Sequence, residues 1–130
     1  MIRYDDRPRS DNDMRAAAEM VLRVVTRSFS VDRDSLVSGT RGIKAVAQAR
    51  QAGMYLLHIV FGLTYEEVGL AFGRERTTVA HACAKVEDER DDLLTDMKLE
   101  TLEDALERLW AIERLRNGGR CGISRSQAAA

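Results

Sequence analysis

A chain of 130 residues that is 45% hydrophobic, with one proline and few aromatics, is long enough to bury a single core without disulfide staples. No apolar stretch reaches the about 18 residues of a membrane span, and the charged first ten residues lack an apolar signal core, so the expectation is a cytoplasmic protein with no membrane partner. The formal net charge of −1 excludes a uniformly basic surface but averages two unlike halves: Val37 to Lys85 holds six basic and three acidic residues, Val86 to Arg108 ten acidic and three basic. A polyanion responds to local potential, so the basic half can meet a phosphate backbone while the acidic half faces away.

Residues 1–10 read as a flexible arm. Asp11 or Asp13 is placed to cap a helix over about Met14 to Arg27, with Met14, Ala17, Val21, Val24 and Val25 on one face. Asp32 or Asp34 then opens a short turn through Leu36 and Val37. The stretch "SGTRGIKA", with Arg41, Lys44 and two glycines, reads as a basic loop. A strongly apolar helix fits about Val46 to Phe61, burying Ala49, Met54, Leu57 and Val60, and Gly62 stops it. "LTYEEVGLAF" opens with a capping box, Thr64 against Glu67, and Gly73 supplies the positive φ that ends this short helix. "FGRERTTVAHACAKVED" carries the next helix. Two helices joined by a glycine-containing turn form a helix-turn-helix over about 64–90. A last helix over about Thr101 to Leu115 places Leu102, Leu106, Leu109 and Ile112 at core spacing, and residues 117–130 read as a flexible tail. The expectation is thus one all-α domain over 11–116.

Phase sorts the residues of "RERTTVAHACAKVED". At about 100° per residue, Val79, Cys83 and Val86 share an inward face. Thr77, His81, Ala84 and Asp88 then face outward, with Thr78 and Lys85 to one side. So slim a face suits the major groove, which is about 12 Å wide. The threonines offer hydroxyls and methyls, the open amides of a helix start favour phosphate, and Arg76 at the tip has the fork that reads guanine. Other constellations are bland. His58 and His81 are the only histidines, and His58 lies within an apolar helix. "EDERDD" lacks the turn glycine of a calcium loop. Cys83 falls on the core face, and Cys121 shares no metal-ligand spacing with it. No catalytic residues, metal ligands or cofactors are expected, so the chain does not read as an enzyme.

"RQAGMYL" from Arg50, "YEEVGLAFG" from Tyr65 and "RERTTVAHACAKVED" from Arg74 together resemble the C-terminal DNA-binding domain of the bacterial replication initiator DnaA. The resemblance covers roughly Val21 to Asp92 and implies a compact helical, Trp-repressor-like fold. It implies contact with double-stranded DNA through Thr77 and Thr78, which match the family's two threonines. Arg76 stands where the family has a base-reading histidine, and Glu75 where it has aspartate. Arg50 matches the arginine of an Arg-Gln pair, Lys85 a basic residue of the recognition helix, and Arg41 and Lys44 a loop that places an arginine in the minor groove. With Arg74 and His81, these residues form the expected DNA-binding set. The chain departs from the pattern in having one residue fewer between Phe72 and Thr77, and no Gly-x-x-x-x-Gly-Lys-Ser/Thr loop for ATP.

These features favour a stand-alone, nucleoid-associated transcription regulator of a bacterium or prophage, monomeric or homodimeric. Two alternatives stay open. "GLTYEEVGLAFGRERTTVAHACAKVEDERDDLL" also resembles the helix-turn-helix of sigma-factor region 4, which implies RNA polymerase as a partner. An interaction module that binds another regulator through its acidic helices and modulates replication initiation is the other.

Overall fold

The structure, a computed structural model, describes residues 2–37 and 44–123. After a 3-10 turn at Tyr4–Asp6 come α1 (Asp11–Phe29), α2 (Arg33–Val37), α3 (Lys44–Phe61), α4 (Tyr65–Phe72), α5 (Arg76–Glu89) and α6 (Leu93–Ile123). Among the described residues there is no strand, and the fold is all-α as expected.

Helix α3 is the central rod. It is apolar around most of its circumference, and α1, α2, α4, α5 and α6 all pack against it. Ala49, Met54, Leu57 and Val60 are buried as expected, joined by Ala52, Tyr55, Leu56 and Phe61. Gly53 is there for closeness: a Cβ at this position would meet the Phe72 ring at 2.9 Å, so its absence lets the end of α4 lie on the rod.

The N-terminal segment, expected as a flexible arm, packs against the core at Ile2 and Asp6. Ile2 is buried, and its N–H donates to the Val60 carbonyl at 3.3 Å. Trp110 reaches back from α6 to donate its indole N–H to the Asp6 carbonyl at 2.6 Å, with its ring edge-on to Phe61 at 5.1 Å. A buried indole needs an acceptor, and the N-terminal turn supplies it. Ser10, rather than Asp11 or Asp13, caps α1: its hydroxyl accepts from the Asp13 amide at 3.0 Å. The two aspartates instead fill the first turn, where the helix dipole favours them.

Helix α6 is one continuous element, starting eight residues before the expected Thr101 and running past 116 into the expected tail. Asp92 caps it, accepting from the Thr95 amide and hydroxyl. Its core residues are Leu99, Leu102, Leu106 and Trp110. Leu109 and Ile112, expected in the core, are 42% and 55% exposed, because burial of Trp110 turns the helix so that they face outward.

The turn between α5 and α6 is organised by Arg90. Its guanidinium pairs with Asp96 and Glu103, each at 2.6 Å, and donates to the Tyr55 hydroxyl at 3.0 Å. Burial acts against its charge, but the hydrogen bonds to Asp96, Tyr55 and Glu103 override that and hold its pKa above the ordinary value. "EDERDD" is thus only partly a solvated face, since its one cation is the hub of a network spanning α3, α5 and α6.

Candidate nucleic-acid interface

The helix-turn-helix consists of α4 and α5 on the surface of α3. Thr64 starts α4 with the full capping box: its hydroxyl accepts from the Glu67 amide at 3.1 Å while the Glu67 carboxylate accepts from the Thr64 amide at 2.9 Å. Gly73 ends the helix at φ 66°, in the left-handed region open to glycine. Arg74 then turns the chain, its amide bonded to the Gly69 carbonyl at 2.9 Å. That approach demands a second glycine, because a Cβ on Gly69 would lie 2.4 Å from the Arg74 carbonyl oxygen. Capping box, Gly69 and Gly73 together fix the angle at which α5 leaves α4.

The predicted phase of α5 is the observed one. Val79, Cys83 and Val86 are buried, with Ala82 beside them, while Thr77, Thr78, His81, Ala84, Lys85 and Asp88 are exposed. Glu75 stands at the N-cap, yet its side chain accepts no hydrogen bond from the helix start. The first-turn amides therefore still point outward as donors. Burial, and secondarily Glu87 nearby, pushes the Cys83 thiol up to about 11, which makes it a packing residue.

Five of the sequence-predicted residues are brought together. Arg50, Arg74, Thr78, His81 and Lys85 line a shallow cleft of about 260 Å³ between α3 and α5, floored by Ala47, Met54 and Ala82. Burial lowers the pKa of Arg50, and the neighbouring positive charge of Arg74 adds to the effect. Two cations held close enough to repel make this cleft attractive to an anion. Lys85 sits at the rim, paired with Glu89 at 2.9 Å and 3.5 Å from the Gln51 side-chain oxygen. So exposed a pair is weak, and its lysine can exchange partners readily.

Glu75, Arg76 and Thr77 are exposed at the tip of α5, outside the cleft, and Lys44 is exposed at the start of α3. Arg41 lies outside the described residues. Arg50 has a duty that sequence did not signal: it donates to the Leu36 carbonyl at 2.9 Å and the Ser35 carbonyl at 3.1 Å, closing the C-terminus of α2. Gln51 was missed as a lining residue, although its spacing from Ala47 puts both on one face of α3. The far end of α5 is opposite in character. Asp88, Glu89, Asp91 and Asp92 line an acidic cleft of about 550 Å³ with Gln48, Thr95 and Lys98. His58 is structural, its Nδ1 2.7 Å from the Leu63 carbonyl and its ring against Tyr65.

Comparison with known proteins agrees with this geometry. The family model described as the bacterial dnaA protein helix-turn-helix matches residues 18–86, more than half of the chain. The chain is similar to the chromosomal replication initiator protein DnaA of a Synechococcus strain, at 35% identity over 91 residues, covering 68% of this chain and 19% of that protein. It is also 39% identical over 75 residues to the protein of the same name from Agrobacterium fabrum, covering 57% and 15%. The chain therefore spans less than a fifth of the length of these relatives. Among solved structures, the crystal structure of a DNA replication initiation factor superposes with a TM-score of 0.67 at 27% identity, covering 73% of this chain and 29% of that one.

Proposed function

The chain belongs to the bacterial DnaA helix-turn-helix family, and from that premise we propose that it binds double-stranded DNA sequence-specifically, as a transcription regulator. Helix α5 enters the major groove by its N-terminal tip. Arg76 reads guanine through its fork, Thr77 and Glu75 meet neighbouring base edges, and Thr78 and the first-turn amides hold a phosphate. Arg74, His81 and Lys85 carry the backbone alongside, while Arg50 adds field and keeps α2 in place. Lys44 and Arg41 contact the flanking groove. The observation that carries this reading is the slim exposed face of α5 beside a cleft that Arg50 and Arg74 both line, close enough for the charge of one to act on the other.

The acidic far end of α5 supports a single docking polarity, since it repels the phosphates that the near end attracts. The chain carries no phosphate-cradling loop, so within these residues DNA binding proceeds without ATP. Fluorescence anisotropy on a duplex provides the test. With about four to six phosphates neutralised, affinity falls by about two to three orders of magnitude between 50 and 200 mM salt. Duplex binding no stronger than that of an unrelated acidic protein would favour the interaction-module alternative.

A further inference from the structure

Helix α6 carries apolar residues on two faces. One is the core face described above. The other, well round the helix, is exposed: Leu94 is 75% accessible, Met97 53%, Ile112 55% and Leu115 74%. Eighteen residues make five full turns, so Leu94 and Ile112 share one bearing, and Met97 and Leu115 share another about 60° away. Between the two clusters the same strip holds the small residues Thr101 and Ala105 together with the exposed Arg108.

The strip has a symmetry of its own. Leu94 and Leu115 lie equally far from the point between Asp104 and Ala105, and so do Met97 and Ile112. A second α6 laid antiparallel, with its two-fold axis through that point, sets Leu94 against Leu115 and Met97 against Ile112, each pairing made twice. Asp104 lies just outside one edge of the strip and Arg108 within it, toward the same edge, and both are exposed. In an antiparallel pair like edges meet, so the Asp104 of each copy comes within one helical turn of the Arg108 of the other, about 4.5 Å along the axis, a gap the long arginine side chain spans to give two ion pairs about the two-fold. We propose that this face of α6 is the self-association surface of the protein, and that its occupant is a second copy of the same helix, antiparallel and in that register. A foreign partner has no need of a strip that is complementary to itself in both apolar spacing and charge.

A seam of two helices about 32 Å long is small beside the about 1,200 Å² and more of stable interfaces, so the dimer is weak and concentration-dependent. Sedimentation equilibrium of the full chain from low micromolar to millimolar concentration shows a monomer–dimer equilibrium. Ile112→Glu, at a position exposed in the monomer, raises the dissociation constant by about tenfold or more. Asp104→Arg and Arg108→Asp each weaken the dimer, and the double reversal restores it. Register is read by disulfide formation in a Cys121→Ser background: a mixture of Leu94→Cys and Leu115→Cys chains cross-links, whereas Leu115→Cys alone does not. A protein that stays monomeric throughout, a double reversal that fails to recover, or self-cross-linking of Leu115→Cys in preference to the mixture would overturn the proposal.

Discussion

Replacing Gly69 with alanine puts a methyl carbon 2.4 Å from the Arg74 carbonyl oxygen. Carbon–oxygen contacts settle at about 3.3 Å or more, so something must move by about 1 Å. The obstacle is backbone in the turn that launches α5, and Arg74 cannot retreat without lengthening the hydrogen bond that its amide N–H donates to the Gly69 carbonyl. Overpacking of this kind costs about 1–3 kcal/mol, and rigid backbone places the site at the upper end. Alanine recovers about 1 kcal/mol of helix propensity, leaving a net loss of about 2 kcal/mol. In urea denaturation the midpoint falls by about 1 M at a typical slope for a small domain. Duplex affinity falls as well, because α5 is re-aimed. Gly73→Ala is the control: its Cβ meets nothing within 4 Å, so it incurs only the strain of φ 66° and leaves α5 in place. If Gly69→Ala were more stable than the wild type, as alanine is in an open helix, the close approach would not exist.

Further perturbations separate structural from binding roles. Arg90→Met leaves Asp96 and Glu103 facing each other without their cation and lowers stability by about 2–3 kcal/mol in thermal unfolding, and an unchanged melting temperature would remove Arg90 from the hub. Arg50→Ala strips the hydrogen bonds that close α2 and costs about 1.5–3 kcal/mol of stability as well as affinity, whereas Lys85→Ala weakens duplex binding and leaves denaturation unchanged, so equal denaturation curves for the two would refute the division. Cys83, with its pKa raised to about 11, is on the order of one part in a thousand thiolate at pH 8, so in a Cys121→Ser background the native protein resists alkylation there and reactivity grows only as pH climbs toward 11; rapid labelling at pH 8 without unfolding would contradict its burial.

The parts of this fold that depend on local chemistry were legible in the sequence. The capping box at Thr64, the left-handed end at Gly73 and the inward Val79–Cys83–Val86 face of α5 each follow from residues within one or two turns. What could not be read depends on distant contacts. Ile2 and Asp6 are ordered by Val60 and Trp110, and the phase of α6 is set by Trp110, whose acceptor lies 104 residues away. The heptad-like run of Leu102, Leu106, Leu109 and Ile112 allowed several choices of core face, and burial of the indole decided among them. Arg50 shows the same limit within the candidate site. A cation on an apolar helix suggests an anion, and nothing local reveals that the carbonyls of α2 lie within its reach.

The central claim is that the tip of α5 reads bases while its flank meets the backbone. Selection of bound duplexes from a random pool, run in parallel for the wild type and Arg76→Ala, tests it most directly. The wild type is predicted to enrich a defined motif containing a guanine that Arg76→Ala no longer requires, with a loss of about 1–3 kcal/mol on the wild-type site. Recovery of the same motif with equal sharpness by both proteins would contradict the claim and leave Arg76 as a residue of the helix start alone.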